Sequence, residues 1–241
     1  MDAYKTELHF HTAEVSPCGR FPASWGIRLY KKLGYHTVVI TDHFSKRYFE
    51  KLGSLSWEQK VDCFLKGYRN ARREGDKRGV RVILGMEYDL PDTRDDILVY
   101  GFDEAFLYAN ENLFLLEADA LRRKAEENHL LLIQAHPFRK NITRVHDELV
   151  EGLEVFNGNP RHDSNNPKAL AYASERHWIA VSGSDFHRRE DAGTGGVYLP
   201  SIPKDSLELA ELLRSVLTPE RIEKPGVHKP TFMENLLHKF K

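Results

Sequence analysis

The segment TELHFHT at residues 6–12 places two imidazoles one residue apart. In an extended strand, side chains two positions apart share a face, so His9 and His11 can turn toward one ion. The same residue types recur wherever an apolar run stops. VVIT ends in Asp42-His43, VILGM leads into Glu87, LLIQA into His136, and AVSGS into Asp185-Phe186-His187. In parallel βα architectures the side chains that do chemistry sit where strands end and loops begin, so His9, His11, His43, Glu87, His136, Asp185 and His187 are expected at one mouth. Imidazole with carboxylate, and no set of thiolates, suits Zn, Mn or Fe in a catalytic site better than a closed structural zinc. Seven candidate ligands exceed what one tetrahedral catalytic ion uses, so two or three divalent ions are implied, with Glu87 as a carboxylate that could bridge two of them.

The elements needed to position these groups follow from periodicity. Short apolar runs of strand length fall at Glu7–His11, Thr37–Thr41, Arg81–Met86, Ile97–Gly101, Leu130–Ala135, Leu153–Phe156, Trp178–Ser182 and Gly196–Leu199. Most lack polar alternation, as buried strands do. Helical patterns lie between them. Trp25, Leu29 and Leu33 share a face between Pro22 and Gly34, and Trp57, Val61, Phe64, Leu65 and Tyr68 share another in a helix expected to run from Trp57 to about Arg73. Leu121 with Ala125, Leu170 with Ala173, and Leu209, Leu212, Leu213 and Val216 supply three more amphipathic helices. Alternating strand and helix with parallel crossovers predicts an α/β fold, and this many units favour closure into a barrel over an open sheet.

At 241 residues the chain is expected to form a single domain spanning 1–241. Residues 221–241 are read as a C-terminal extension packed on it, interrupted by Pro225 and Pro230 and offering Phe232, Leu236, Leu237 and Phe240 as the apolar stripe of an end helix. Lys plus Arg total 35 against 36 for Asp plus Glu, which gives no global attraction to nucleic acid or an anionic membrane. Cys18 and Cys63 form neither a disulfide framework nor a CxxC zinc motif. Charges stand where a signal peptide would need its apolar run, and no stretch of about 18 apolar residues occurs, so a soluble cytoplasmic protein is expected.

Taken together, HFHT, TDH, GMEYD, QAHP and GSDFH, in this order across residues 9 to 187, resemble the motifs of the PHP (polymerase and histidinol phosphatase) superfamily of metal-dependent phosphoesterases. The resemblance implies a distorted, TIM-like (β/α)7 barrel with a di- or trinuclear metal site at the C-terminal ends of its strands. By motif it carries His9, His11, His43, Glu87, His136, Asp185 and His187 over as ligands, and makes Asp42 a support that orients the loop or a histidine. Two departures stand out. Many family members have an aspartate or histidine directly after the serine of the first loop, where this chain reads Ser16-Pro17-Cys18; nearby Glu14 is a candidate substitute. A histidine common before the fourth strand is here Asp96, which can also bind metal. A third ion therefore depends on Glu14 or Asp96.

Two ions sharing a hydroxide available near neutral pH could hydrolyse a phosphate ester without a residue nucleophile. Arg139 and Arg161 are candidates to hold the non-bridging oxygens, with Arg20 a weaker third, because guanidinium matches phosphate bidentately. His162 could protonate a leaving alkoxide if it keeps its ordinary pKa. Asn157 could hydrogen-bond substrate or hold its loop, and the GTGG at 193–196 reads as a turn. The expected activity is hydrolysis of a phosphorylated small molecule, most simply a phosphomonoester. The alternatives are a nuclease acting on nucleic-acid ends, for which no basic stripe with stacked aromatics speaks, and a catalytically silent metal-binding regulatory domain. A hydrolase of C–N bonds lacks a lysine placed as a carbamate bridge. The substrate, the metals and the oligomeric state are not legible.

Overall fold

The structure is a computed structural model that describes residues 3–224; the stripe expected at Phe232–Phe240 lies outside them. Strands and helices alternate as the periodicity predicts. The first half comprises β1 (Tyr4–Glu7), α1 (Ala23–Lys32), β2 (Thr37–Ile40), β3 (His43–Phe44), α2 (Lys46–Lys51), α3 (Trp57–Phe64), α4 (Lys66–Arg78), β4 (Arg81–Leu84) and β5 (Met86–Asp89). The second half comprises β6 (Asp96–Tyr100), α5 (Glu104–Ala109), α6 (Ala118–Asn128), β7 (Leu131–Gln134), β8 (Gly152–Asn157), α7 (Asn166–Arg176), β9 (Ile179–Gly183), β10 (Val197–Leu199) and α8 (Ser206–Val216).

The strands hydrogen-bond in two sheets, ordered β10-β1-β2-β4 and β3-β5-β6-β7-β8-β9. The runs expected as single strands at Thr37–Thr41 and Arg81–Met86 each jog from one sheet to the other. Beyond Ile40 the chain resumes as β3, and beyond Gly85 it resumes as β5, so β2 and β4 pair in parallel in one sheet and β3 and β5 in the next. The strand expected at Glu7–His11 instead spans Tyr4–Glu7, and beyond it only Phe10 pairs, as an isolated bridge. Phe10 bridges Phe186, and Thr41 Oγ1 accepts from the Phe10 N–H at 2.9 Å. The expectation of uniformly parallel strands is corrected at β10, antiparallel to β1, and at β6, antiparallel to both β5 and β7. The reason at β6 is the short turn between Asp89 and Asp96: a tight connection can only reverse the chain, whereas a parallel return needs a helical crossover.

Local chemistry sets the helix ends. Ser56 caps α3 in a reciprocal box with Gln59, and Ser45, Asp103 and Asp205 cap α2, α5 and α8. The single helix expected from Trp57 to about Arg73 is two, broken at Leu65. The break brings the start of α4 against the first loop: a Cβ on Gly67 would lie 2.2 Å from Thr12 Oγ1 and 2.6 Å from Asp42 Oδ2. Only glycine fits there. α2 and α5 are too short for periodicity to reveal.

Two apolar clusters hold the layers. The larger lies between the helices and the sheets, with Ile27, Tyr30, Val38, Phe44, Phe64 and Leu121 among its members. The second takes alternate strand positions, Val39, Ile83, Leu98, Tyr100, Leu131, Ile133 and Val181, with Leu209, Ala210 and Leu213 of α8. α8 sits at the end of β6 remote from Asp96, where Ser206 Oγ accepts from Gly101 N at 2.9 Å. No helix among the described residues is long and apolar enough to cross a membrane.

The loop after β7 is clipped to the β5–β6 turn by buried polar groups. Asp95 accepts from Thr143 N at 2.6 Å and pairs with His146 Nε2 at 2.8 Å, while Gln134 Nε2 donates to Arg144 O at 2.8 Å. Asp95 is fully buried, so deleting its carboxylate leaves these donors unpaired. Asp95→Ala is expected to lower unfolding free energy by about 1.5–3 kcal/mol, read from urea denaturation.

Candidate metal centre

Residues from the ends of several strands meet at one point. His9 Nε2 and His11 Nε2 stand 3.1 Å apart. His9 Nε2 lies 3.1 Å from Glu87 Oε1 and 3.5 Å from Asp185 Oδ1; His11 Nε2 lies 3.2 Å from Glu87 Oε2 and 3.4 Å from Asp185 Oδ1. Four donors around one ion at about 2.1 Å would sit about 3.4 Å from one another in a tetrahedral shell. The spacing of His9, His11 and Asp185 fits three positions of that shell, while Glu87 groups with His9 and His136.

A second group extends from the first. His136 Nε2 is 3.2 Å from Glu87 Oε1 and 3.8 Å from Asp96 Oδ2, so Glu87 faces both groups. Asp96 reaches this end because β6 runs antiparallel: its first residue pairs with Asp89, the last of β5. A third group sets His11, His43, His187 and Cys18 together, with their ligand atoms all within 4.8 Å of one another. His11 stacks on His187 with ring centroids 4.3 Å apart.

The electrostatics call for cations. Burial opposes the charge of Glu87, but His9, His43, His11 and His136 around it outweigh burial and hold its carboxyl well below the usual range. Asp185 is held down in the same way by His187, His9 and Arg139. Asp96 is pushed well up, by burial and then by the charges of Glu87 and Asp89, which outweigh His43 and Arg139. Burial pulls the ring of His11 down, but Asp185 and Glu87 raise it to about 9; His9 and His43 are likewise raised well above their usual value by neighbouring carboxylates. His136 instead falls below its ordinary value, through burial and Arg139, and so stays neutral. Glu87 Oε2 lies 3.0 Å from His43 Nδ1 and 3.2 Å from His11 Nε2 yet hydrogen-bonds to neither, and buried His136 Nδ1 has no partner. These donors fit a shared divalent ion better than one another.

The supports are acids that the sequence reading passed over. Glu154 accepts from His136 N at 3.0 Å and Asn157 Nδ2 at 2.8 Å through Oε2, while Oε1 pairs with His9 Nδ1 at 2.9 Å. Such a partner fixes the tautomer and orientation of a ligating ring. A bulge in β8 between Glu154 and Phe156 puts residues 154 and 157 on the same face. Glu7 accepts from His9 N at 2.9 Å, Ser184 N at 3.0 Å and the Tyr30 hydroxyl at 3.0 Å, tying β1 to the loop that carries Asp185. A lone acid inside an apolar run, as in GLEVF, was the available signal for Glu154. Gly183 packs so closely that a Cβ would sit 2.5 Å from His9 Cβ and 2.6 Å from Glu154 Oε1. His136 and Asp185 occupy left-handed backbone, at φ 30° and 51°, a strain that packed surroundings must sustain.

Asp42 lies beneath the centre as a support. It accepts from Thr12 N and Thr12 Oγ1, each at 2.7 Å, and from Ser16 Oγ at 2.6 Å, which shapes the first loop. Glu14, the expected substitute ligand, points elsewhere: it accepts from Ala23 N at 2.9 Å at the start of α1 and from Asn70 Nδ2 at 3.1 Å. Cys18 occupies the third group instead. Burial raises its thiol, but hydrogen bonds with His187 and His43 and the nearby His11 and His43 rings lower it to about 5.

Over the centre opens a cavity of about 370 Å³, lined by Cys18, His43, Glu87, Asp96, His136, Asp185 and His187 and by Arg20, Arg139, Arg161, Arg188, Asn159 and His162. Arg139 donates to Asp185 Oδ2 at 2.8 Å and to Asn157 Oδ1 at 2.9 Å. Arg161 forks onto Asp191, donating to Oδ2 at 2.8 Å. His162 does not keep its ordinary value, because burial and then Arg139 lower it; it is neutral near pH 7 and a poor resting proton donor.

The sequence matches the PHP domain family over residues 7–199, and the chain belongs to that family. PsfC from Pseudomonas syringae superposes with a TM-score of 0.64 at 16% identity, covering 100% of this chain and 99% of that one. A two-domain protein from Bacteroides vulgatus, containing a predicted PHP-like metal-dependent phosphoesterase, gives 0.58 at 15% identity over 90% of this chain and 62% of its own. An amidohydrolase from Chromobacterium violaceum with bound sulfate and no metal gives 0.50 at 16% identity, covering 87% of this chain and 96% of that one. At these identities the likeness is one of fold. No curated protein sequence matches this chain.

Two outcomes follow. Glu154→Gln keeps the side-chain shape but loses the charge against His9, and is expected to weaken Zn²⁺ binding about 10–100-fold in chelator competition while the melting temperature changes little. Because His9, His11 and His43 hold protons above neutrality and a ligating ring must be neutral, Zn²⁺ added to chelated protein at pH 7 should release protons into a weak buffer. Affinity should still climb as pH approaches the His11 value of about 9.

Proposed function

We propose that this chain is a metal-dependent phosphoesterase that hydrolyses a small-molecule phosphomonoester at the mouth of a distorted barrel of βα units. The observation that carries the reading is a set of four guanidinium groups, Arg20, Arg139, Arg161 and Arg188, lining the same cavity as the carboxylate–imidazole centre. His9, His11, Glu87 and Asp185 would hold one divalent ion, and Glu87, His136 and Asp96 a second. Ions bound there supply Lewis-acid polarisation of a phosphoryl oxygen and activation of water near neutral pH. Zn, Mn and Fe all suit these donors.

The protein's own residues do the rest. Arg139, held by Asp185 and Asn157, presents its guanidinium beside the centre at fixed orientation, where it can bind phosphoryl oxygens and offset developing charge. Arg161 is braced by Asp191 and adds positive potential to the same cavity. His162, neutral in the free protein, can accept a proton or a hydrogen bond there. The cavity volume suits a small ligand, and the formal net charge of -1 brings no general affinity for a polyanion. These points favour a small substrate over a nucleic-acid end. The phosphoesterase description of the Bacteroides vulgatus relative agrees with this reading.

The test is a panel of sugar, amino-alcohol, nucleotide and peptide phosphates, with labelled single-stranded DNA alongside, run on protein of measured Zn, Mn or Fe content. Turnover of a small phosphate that disappears on chelation, with the DNA intact, is the expected result. Fully loaded protein inert toward every phosphate would refute it. Arg139→Ala should lower kcat by about 10²–10³-fold, and Arg139→Lys should recover little because an ammonium lacks the planar fork.

A further inference from the structure

The third donor group differs in kind from the other two. The first two join imidazoles to the carboxylates of Asp185 and Glu87, with Asp96 near His136, whereas Cys18, His43 and His187 bring a sulfur and two imidazoles, with His11 shared between groups. The loop that carries Cys18 is built rather than loose. Ser16 N donates to Thr12 O at 3.0 Å, Gly19 N to Ser16 O at 3.0 Å, Ala13 N to Phe21 O at 3.0 Å and Arg20 N to His187 O at 3.0 Å. The last of these ties the loop directly to the backbone of His187. A Cβ on Gly19 would lie 2.7 Å from Thr12 O, so the chain turns tightly just after the cysteine. Ser16 Oγ, which donates to Asp42, also accepts from His43 N at 3.1 Å, linking the loop to the other imidazole.

We infer that Cys18 is a metal ligand, and that with His43 and His187 it forms a separate thiolate-containing position for a zinc-like ion in the cavity. Binding there displaces to solvent the protons held between the Cys18 sulfur and its imidazole neighbours and forms a bond from sulfur to the cation, with no change in oxidation state. A soft sulfur ligand changes selectivity. Zn²⁺ and Co²⁺ are expected to fill this position, while Mn²⁺, which prefers oxygen donors, is confined to the carboxylate-rich pair. The inference concerns ligand identity and stands whether or not the phosphoesterase reading holds.

Cobalt reports it without reference to turnover. The sequence contains two cysteines, so in Cys63→Ser protein any sulfur-to-cobalt charge-transfer absorption belongs to Cys18. Reduced, chelated Cys63→Ser protein titrated with Co²⁺ should develop that near-ultraviolet band, Zn²⁺ should abolish it, and Mn²⁺ should not. Cys18→Ser should lack the band and bind its weakest ion at least about tenfold less tightly, with circular dichroism unchanged. Cobalt-saturated Cys63→Ser protein without a sulfur band would overturn the assignment, as would a band that persists in Cys18→Ser. Either result leaves the phosphate panel to decide hydrolysis on its own.

Discussion

Glu87, Asp96 and Asp185 line one small cavity, largely out of water, and everything around them answers that concentration of negative charge. Carboxylates in a low-dielectric setting repel strongly and ionise reluctantly unless cations or hydrogen-bond donors meet them. Imidazoles from the segments just after β1 and β7, from the start of β3 and from the loop after β9 meet part of the demand, which is why His9, His11 and His43 hold protons in the metal-free protein. Asp96 shows what remains unmet, since its carboxyl is driven up by burial and by Glu87 and Asp89. Metal ions would satisfy all these groups at once, and membership of the PHP family agrees with that solution.

Holding such a cluster in place requires a framework with little slack. Glu7 and Glu154, both buried, pin the backbone and ring of His9 from two directions, and Glu154 also holds the backbone of His136. Asp42 plays the same part for the first loop. The framework explains the glycines beside it: Gly67 admits Asp42 and Thr12, and Gly183 admits His9 and Glu154. The left-handed backbone at His136 and Asp185 is sustained by the same contacts. Apolar packing supplies the rest, with α8 and alternate strand residues filling the end remote from the site.

The cavity above the centre combines unlike groups. Its arginines favour an anion, with Arg139 and Arg161 each fixed by a carboxylate so that little reorganisation accompanies binding. Cys18, His43 and His187 add sulfur and imidazole, a softer donor set than the carboxylates. Arg20 and Arg188 flank that softer set in the chain, so charge recognition and a distinct coordination position share one cavity.

Much of this was legible in the linear chain, because strand ends are marked by where apolar runs stop and because histidine, aspartate and glutamate are chemically conspicuous there. The pairs His9 with His11 and Asp185 with His187 and the alternation of strand and helix follow from residue type and period, while the supporting place of Asp42 came with the resemblance to the PHP motifs. Other features depend on which strands become neighbours, and that is decided by long-range packing. Asp96 reaches the centre because β6 runs antiparallel, and Glu154 shares a face with Asn157 because β8 bulges. Glu14 turns away because the Ala23 N–H at the start of α1 and the Asn70 amide claim it. Cys18, unremarkable by spacing, gains its significance from His43 and His187, which lie 25 and 169 residues further along and meet it only once the chain has folded. Sequence period reports what a residue is and which face it takes; a donor set drawn from distant loops exists only in three dimensions.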